Sequence, residues 1–458
     1  MRVLVLGFDG ASPKLINNWI HDLPFFRKFK KEGIFGQTTP PIPAQTPVAW
    51  STFMTGKNPG NHGIFSFALR KKGTYERNII GPEMLKSKTI WRILSESGKR
   101  VGIINVPMSD IEKINGFIIP GFLSKQEGIP YPESIKEEIE RKFKINRIRG
   151  DLESQTLIKV ETEPDLFFDE INRITDEMTE IALYMIEKEK WDFFMPVFMG
   201  LDRIQHFFWR NIDKNHPKYI ENKFSKFVKD FYIKVDRIAR DFYEFIDENT
   251  IVMLLSDHGF CPIFTEVIIN NYLEERGFLT EKFNKIDLGR SRAVSYGYGD
   301  IWLNVKGREP MGILDSDEEY DKIRDQIIDY FKKITINGEK PIKDVKKRED
   351  LWRGKHINEA PDLSIIFNIG YQAARNPLIS DRNELGLYIN DNPRWSGGHD
   401  GTHDPRDVPG FIGMLGPGIP AGKNVKIDLQ DIAPTILSLM NISIPGDMDG
   451  KSLKLART

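Results

Sequence analysis

Residues 1–10 read Met-Arg-Val-Leu-Val-Leu-Gly-Phe-Asp-Gly. Val3–Phe8 is short, rich in branched side chains and unbroken by charge, as in a strand buried on both faces. Asp9 follows at once, and Ser12-Pro13 then offers an N-cap and a first-turn proline. The opening therefore predicts strand, turn and helix, with a carboxylate at the strand's C-terminal end. The same unit recurs. Val101–Val106 is a strand candidate, Phe193–Met199 is one followed by Asp202, and Thr250–Leu255 is one followed by Asp257-His258. Gly410–Leu415 reads as a further strand. Helical periodicity runs over Glu163–Lys190, Pro217–Asp247 and Asp428–Met440. Strands alternating with helices predict an α/β fold with a mostly parallel central sheet and helices on both faces.

The stretch from Phe264 to Arg394 has another character. Short strands at Ile301–Val305 and Leu363–Ile369, a helix near Glu318–Lys333 and many turn residues predict an inserted α+β subdomain. The expected division gives residues 1–263 and 395–458 to a catalytic core. Residues 264–394 would form the insertion over the active site, with Gly297–Pro377 as its roof. The chain of 458 residues, 40% hydrophobic and 29% charged, is long enough to hold a core without cross-links. Lys and Arg total 65 against 66 Asp and Glu, so no overall basic field suggests a nucleic-acid polymer as partner. The single cysteine, Cys261, excludes a disulfide framework and Cys-rich metal sites. The N-terminal apolar run is too short for a signal-peptide core, and no run reaches the roughly 18 residues of a membrane helix. The expectation is a cytoplasmic protein without membrane insertion; the sequence is silent on oligomeric state.

Three acids, Asp9, Asp202 and Asp257, fall just beyond predicted strand ends, where open α/β sheets bind ligands. Each alone could be a helix cap. Gathered together they would repel one another unless cations or protons intervened. Asp202 and His206 are four apart, on one face of a helix. Asp257 and His258 are adjacent in a turn that Gly259 permits. Carboxylate and imidazole together suit zinc or manganese. His403 lies in the Gly-rich stretch G-G-H-D-G-T-H-D-P, and His399 in the same stretch is open to either a structural or a functional reading. His21, His216 and His356 read as hydrogen-bonded core or surface residues. Thr46 precedes Pro47 in P-A-Q-T-P-V-A-W-S-T-F-M-T-G, the pattern of an N-cap with a first-turn proline. Its hydroxyl would sit at the positive helix end, either as a plain cap or as a nucleophile beside a phosphate cradle.

Taken in order, V-L-G-F-D-G, T-P-V-A-W-S-T-F-M-T-G-K-N-P-G-N-H-G-I-F, L-D-R-I-Q-H-F-F-W, S-D-H-G-F, G-T-H-D-P and D-I-A-P-T-I-L-S-L-M resemble the alkaline phosphatase superfamily, on its type I phosphodiesterase/nucleotide pyrophosphatase branch. The resemblance implies two divalent metal ions, zinc or manganese, about 4 Å apart. Asp9, Thr46, Asp257 and His258 would hold one; Asp202, His206 and His403 would hold the other. It implies Thr46 as catalytic nucleophile, transiently phosphorylated, and a small phosphorylated substrate. Lys57, Asn58, Trp50 and Arg203 are candidate substrate contacts, each with a structural alternative, and His62 would position its loop. The sequence departs from the family where an Asn that touches phosphoryl oxygens is expected: Ser66 and Phe67 stand there. Gln205 stands where several relatives have Gly, and the C/S-x-P-x-R motif of sulfatases is absent.

The reading that follows is a metal-dependent phosphoryl-transfer hydrolase, a phosphodiesterase, nucleotide pyrophosphatase or phosphatase. One rival is a phosphomutase resembling cofactor-independent phosphoglycerate mutase or phosphopentomutase. It would use Arg292, Arg308, Arg353 and Arg375 of the insertion to hold a second anionic group. The other rival is a non-catalytic metal- or ligand-binding protein on the same fold.

Overall fold

A computed structural model of the chain describes residues 1–145, 147–282, 285–374 and 388–455. Its centre is a sheet of eight strands: β1 (Arg2–Phe8), β2 (Ile34–Thr39), β3 (Val101–Ile104), β4 (Gly116–Ile119), β5 (Phe193–Phe198), β6 (Thr250–Leu255), β7 (Gly410–Leu415) and β8 (Lys423–Asp428). They lie in the order β8-β2-β7-β6-β1-β5-β3-β4, and only β7 runs against its neighbours.

The apolar run of the opening residues is explained by burial on both faces. Leu4, Leu6 and Phe8 of β1 enter one hydrophobic cluster, and Val3 and Val5 enter the other. The first cluster is closed by α2 (Pro164–Lys188) and α4 (Lys223–Tyr243), named in chain order with α1 (Thr46–Thr55), α3 (Gly200–Phe208) and α5 (Ile432–Leu439). Helices α1 and α5 cover the second cluster. Register aligns the strand ends: Gly7 of β1 pairs with Val197 of β5 on one side and Leu255 of β6 on the other. The chain therefore leaves three neighbouring strands at one level, carrying Asp9, Asp202 and Asp257 to one edge of the sheet.

A third hydrophobic cluster gathers Leu273, Phe278, Ile301, Leu303, Ile327, Phe331, Leu363 and Phe367. It packs beneath a sheet of Ala293–Val294, Asp300–Leu303, Leu363–Phe367 and Ile342–Lys347, with the helix Asp317–Phe331 against it. The strand Cys261–Val267 runs across the expected boundary at residue 264 and pairs with Gly370–Ala373, Ile389–Asn390 and Gly397–Gly398. This region leans on the segments that flank α1. Arg70 pairs with Glu309, the Tyr75 hydroxyl donates to Asn304 Oδ1 at 2.6 Å, and Trp352 Nε1 donates to the Ile42 carbonyl at 2.8 Å. Among the described residues, no helix is long and apolar enough to cross a membrane. Arg375 lies outside the described residues.

Candidate active site

Asp9 leaves β1 into a turn in which Gly10 has φ +70. A Cβ on Gly10 would come within 3.1 Å of the Asp202 backbone and 2.7 Å of the Phe260 ring, so glycine allows the turns after β1 and β5 to meet. Gln205 clips them together. Its side-chain amide donates to the carbonyls of Gly10 at 2.8 Å and Leu201 at 2.9 Å, and its oxygen accepts from the Tyr232 hydroxyl at 3.0 Å.

Six buried side chains converge there as two groups: Asp9, Asp257 and His258, and Asp202, His206 and His399. In the first group, Asp9 Oδ2 accepts from Trp50 Nε1 at 2.7 Å and Asp257 Oδ1 accepts from the Gly10 amide at 3.2 Å. The other oxygens, Asp9 Oδ1 and Asp257 Oδ2, are buried without a hydrogen bond. His258 Nδ1 faces the Gly259 carbonyl at 3.2 Å, which assigns the ring proton to Nδ1. Its bare Nε2 then lies 3.3 Å from Thr46 Oγ1, 3.5 Å from Asp9 Oδ1 and 3.2 Å from Asp257 Oδ2. A lone pair facing two carboxylate oxygens is a set of donors that a cation fits. Protonation answers the same repulsion: burial, then the neighbouring carboxylates, raise Asp9, and burial pushes Asp257 up to about 8. Burial and the adjacent His399 drive His258 well below the usual imidazole range.

In the second group, Asp202 and His206 share one face of α3, with Oδ1 and Nε2 3.4 Å apart. His206 Nδ1 is turned to the Gly397 carbonyl at 3.1 Å, leaving Nε2 to the cluster. His399 completes it. Its Nδ1 faces the Ala44 carbonyl at 2.7 Å, and its Nε2 lies 3.1 Å from Asp202 Oδ1 and 3.3 Å from His206 Nε2. The His399 ring stacks on His258 with centroids 3.5 Å apart, joining the two groups. Burial opposes protonation of His399, but Asp400 and Asp202 outweigh it and raise its pKa. Asp202 Oδ2 accepts from Arg203 Nη1 at 3.2 Å. Arg203 is held from behind by the Asp151 carboxylate, bonded through Nε at 2.9 Å and through Nη2.

His403, expected in the second group, is not brought to it. Its Nε2 faces the Tyr371 carbonyl at 2.9 Å and its Nδ1 the His399 carbonyl at 3.5 Å, so both nitrogens serve the backbone that joins loop to insertion. His399, four residues earlier, occupies the place. Thr46 is the first residue of α1 with Gln45 at the cap, one residue later in the helix than the sequence suggests. Trp50 is fully buried, with its indole N–H on Asp9. Lys57 pairs with Asp447 at 2.5 Å. Asn58 caps the helix Pro59–His62 and bonds Asp449, so both bolt the C-terminal segment to the loop after α1. His62 accepts from the Ile64 amide and meets the Thr52 hydroxyl at 3.0 Å, bracing its loop; burial lowers its pKa to about 3. Of the four candidate substrate contacts, Trp50 touches the first group through Asp9 and Arg203 touches the second through Asp202. The Arg203 guanidinium sits over the Phe122 ring at 5.3 Å, and both Phe122 and Asp151 line an open cavity of about 1370 Å³. Arg308 is consumed by Asp362 and Glu309 inside the insertion, and Arg353 is largely exposed beside Asp449.

The chain matches the family described as type I phosphodiesterase/nucleotide pyrophosphatase over residues 3–403. The chain belongs to that family. It is thereby a member of the alkaline phosphatase superfamily. Over 273 residues it is 27% identical to the alkaline phosphatase PafA of Elizabethkingia meningoseptica; the match covers 56% of this chain and 46% of that protein. The chain thus spans about half the length of that curated relative. Its fold is similar to that of human ectonucleotide pyrophosphatase/phosphodiesterase 5, with a TM-score of 0.58 at 15% identity over 98% of this chain and 97% of the other. A murine form of the same protein, an inactive threonine-to-alanine variant solved in complex with AMP, gives a TM-score of 0.57 at 15% identity over 97% and 96%.

Proposed function

We propose that this protein is a metal-dependent phosphodiesterase or phosphatase that works through a phosphothreonine at Thr46. The observation that carries the reading is the set of ligand atoms beside the Thr46 hydroxyl: Asp9 Oδ1 and Asp257 Oδ2 are buried without a hydrogen bond, and both face His258 Nε2, which lies 3.3 Å from Thr46 Oγ1. Asp9, Asp257, His258 and Thr46 would hold one divalent cation, and Asp202, His206 and His399 the second. Carboxylate and imidazole donors suit zinc or manganese. When bound, the cations would lower the pKa of the hydroxyl and neutralise phosphoryl charge.

The chain's own residues do the rest. Helix α1 presents Thr46 Oγ1 at its positive end, where a phosphoryl group is favoured. The hydroxyl oxygen forms a bond to phosphorus as the bond to the leaving alcohol or phosphate breaks. Water then cleaves the phosphothreonine and restores the hydroxyl. The buried Arg203 guanidinium, bonded to Asp202, borders the centre as a fixed positive charge. Insertion residues 264–394 would roof the site, since Asn304 and Trp352 within them bond the segments that flank α1. A nucleotide ester is the favoured substrate class, by analogy with the AMP complex of the murine neighbour. The engagement of Arg308 by Asp362 and Glu309 takes one of the four arginines from the mutase alternative.

The test is turnover of bis-p-nitrophenyl phosphate, p-nitrophenyl phosphate and a nucleotide diester with added zinc or manganese. Diester cleavage that vanishes on chelation and in Thr46→Ala supports the reading. Turnover that survives Thr46→Ala contradicts the phosphothreonine, and absence of turnover with either metal contradicts the enzyme.

A further inference from the structure

Each of the three carboxylates at the centre is held in the same way: one oxygen takes an N–H donor and the other is turned into the cluster. For Asp257 the donor is the Gly10 amide, and for Asp202 it is the guanidinium of the next residue, Arg203. For Asp9 the donor is the indole of Trp50, 41 residues along the chain. That indole is fully buried and its hydrogen bond, at 2.7 Å, is the shortest of the three braces. Trp50 is four residues after Thr46 on α1, so hydroxyl and indole N–H share one helix face. Thr46 Oγ1 reaches His258 and Trp50 Nε1 reaches Asp9 within the same ligand group.

Room for the ring is made in β1. A Cβ on Gly7 would stand 2.9 Å from Trp50 Cη2 and 2.7 Å from Val197 Cγ2, closer than atoms pack. The absent side chain at position 7 is therefore the seat of the indole, and the G-F-D of the opening stretch and the T-P-V-A-W of α1 are one device.

We propose that Trp50 is the positioning residue of the first ligand group: its indole N–H fixes Asp9 so that only Oδ1 is offered beside Thr46. This rests on the two-cation reading above. A carboxylate free on both oxygens rotates and can chelate through either or both. Binding Oδ2 from behind removes that freedom, as outer partners do for metal ligands generally. Phenylalanine at position 50 would keep most of the ring's volume and lose the donor. Trp50 acts through Asp9 and touches neither substrate nor reacting atoms.

The experiment is chelator-competition titration of Mn2+ and Zn2+ into the purified full chain, comparing wild type, Trp50→Phe and Gly7→Ala, with thermal melts of each. Expected is a roughly 10- to 100-fold weaker affinity for one of the two cations in Trp50→Phe, with the other within a few-fold of wild type. Turnover lost at limiting Mn2+ should return at excess Mn2+, a rescue that general loss of packing does not give. Gly7→Ala, which keeps the donor but crowds its seat, should weaken the same cation by a smaller factor. Unchanged affinity for both cations in Trp50→Phe overturns the proposal, as does equal weakening of both. Should Trp50→Phe fail to fold, wild-type affinities in Gly7→Ala overturn it. Wild-type protein that takes up no cation is a different failure, that of the two-cation reading itself.

Discussion

The two ligand groups differ in charge and in what supports them. Asp9, Asp257 and His258 bring two carboxylates, each braced by a neutral donor, the Trp50 indole or the Gly10 amide. Asp202, His206 and His399 bring one carboxylate, braced by the Arg203 cation. A divalent ion therefore meets two formal negative charges in the first group, and in the second a single charge already shared with a guanidinium. The lesson is that donors of similar type make unequal sites. Loading should therefore be stepwise, with the first group filling at lower cation concentration and the second tuned from outside by Asp151 and Arg203.

The strongest way to separate the groups is at Thr46, which approaches the first alone. Thr46→Ala should cost about 10⁴-fold or more in turnover while the second cation still binds, measured by steady-state rates beside metal titration. Next is the pair of histidines. His399→Ala should lose the second cation, weakening it more than about 100-fold, whereas His403→Ala should leave cation affinity near wild type. Equal effects of the two would break the assignment. Asp151→Asn frees Arg203 to lean wholly on Asp202, and should weaken the second cation about tenfold without touching the first.

Acidity separates the groups as well. Burial pushes Asp257 up to about 8 and also raises Asp9. Above about pH 6.5 the unfolded chain's imidazoles are neutral and its carboxylates long ionised, so folding there retains protons that unfolding releases. In chelator-treated protein, stability should therefore fall as pH rises from about 6.5 to about 8, on the order of 1–2 kcal/mol, and cations should abolish the fall. Thermal melts across that range decide it. The smallest effect belongs to Lys57, whose partner Asp447 is 74% exposed: Lys57→Ala should change stability by about 0.5 kcal/mol and leave KM unaltered.

What the sequence revealed follows from the same physics. β1, β5 and β6 are legible because both their faces are buried, which demands continuous apolar runs. β8 at the sheet edge, Lys423–Asp428, is mostly exposed and polar and gives no such signal. β2 is interrupted by Gly36, where the Val425 carbonyl comes close. Asp9, Asp202, His206, Asp257 and His258 stand at strand ends or at helical spacing, so local pattern finds them. His399 and His403 lie in a loop without periodicity, and only its three-dimensional path distinguishes them. The one local signal was Gly397-Gly398, the short strand that ties His399 to the chain just after His258. Trp50 and Gln205 act across long sequence separations, by contacts no window of sequence contains.

Two cations, one in each ligand group, are the core of the proposed site, with Thr46 beside the first. Anomalous diffraction from crystals grown with manganese or zinc tests this most directly. Two peaks are expected, one among Asp9, Thr46, Asp257 and His258, the other among Asp202, His206 and His399. No peak at either group, or a peak ligated by His403 in place of His399, would contradict the two-cation site.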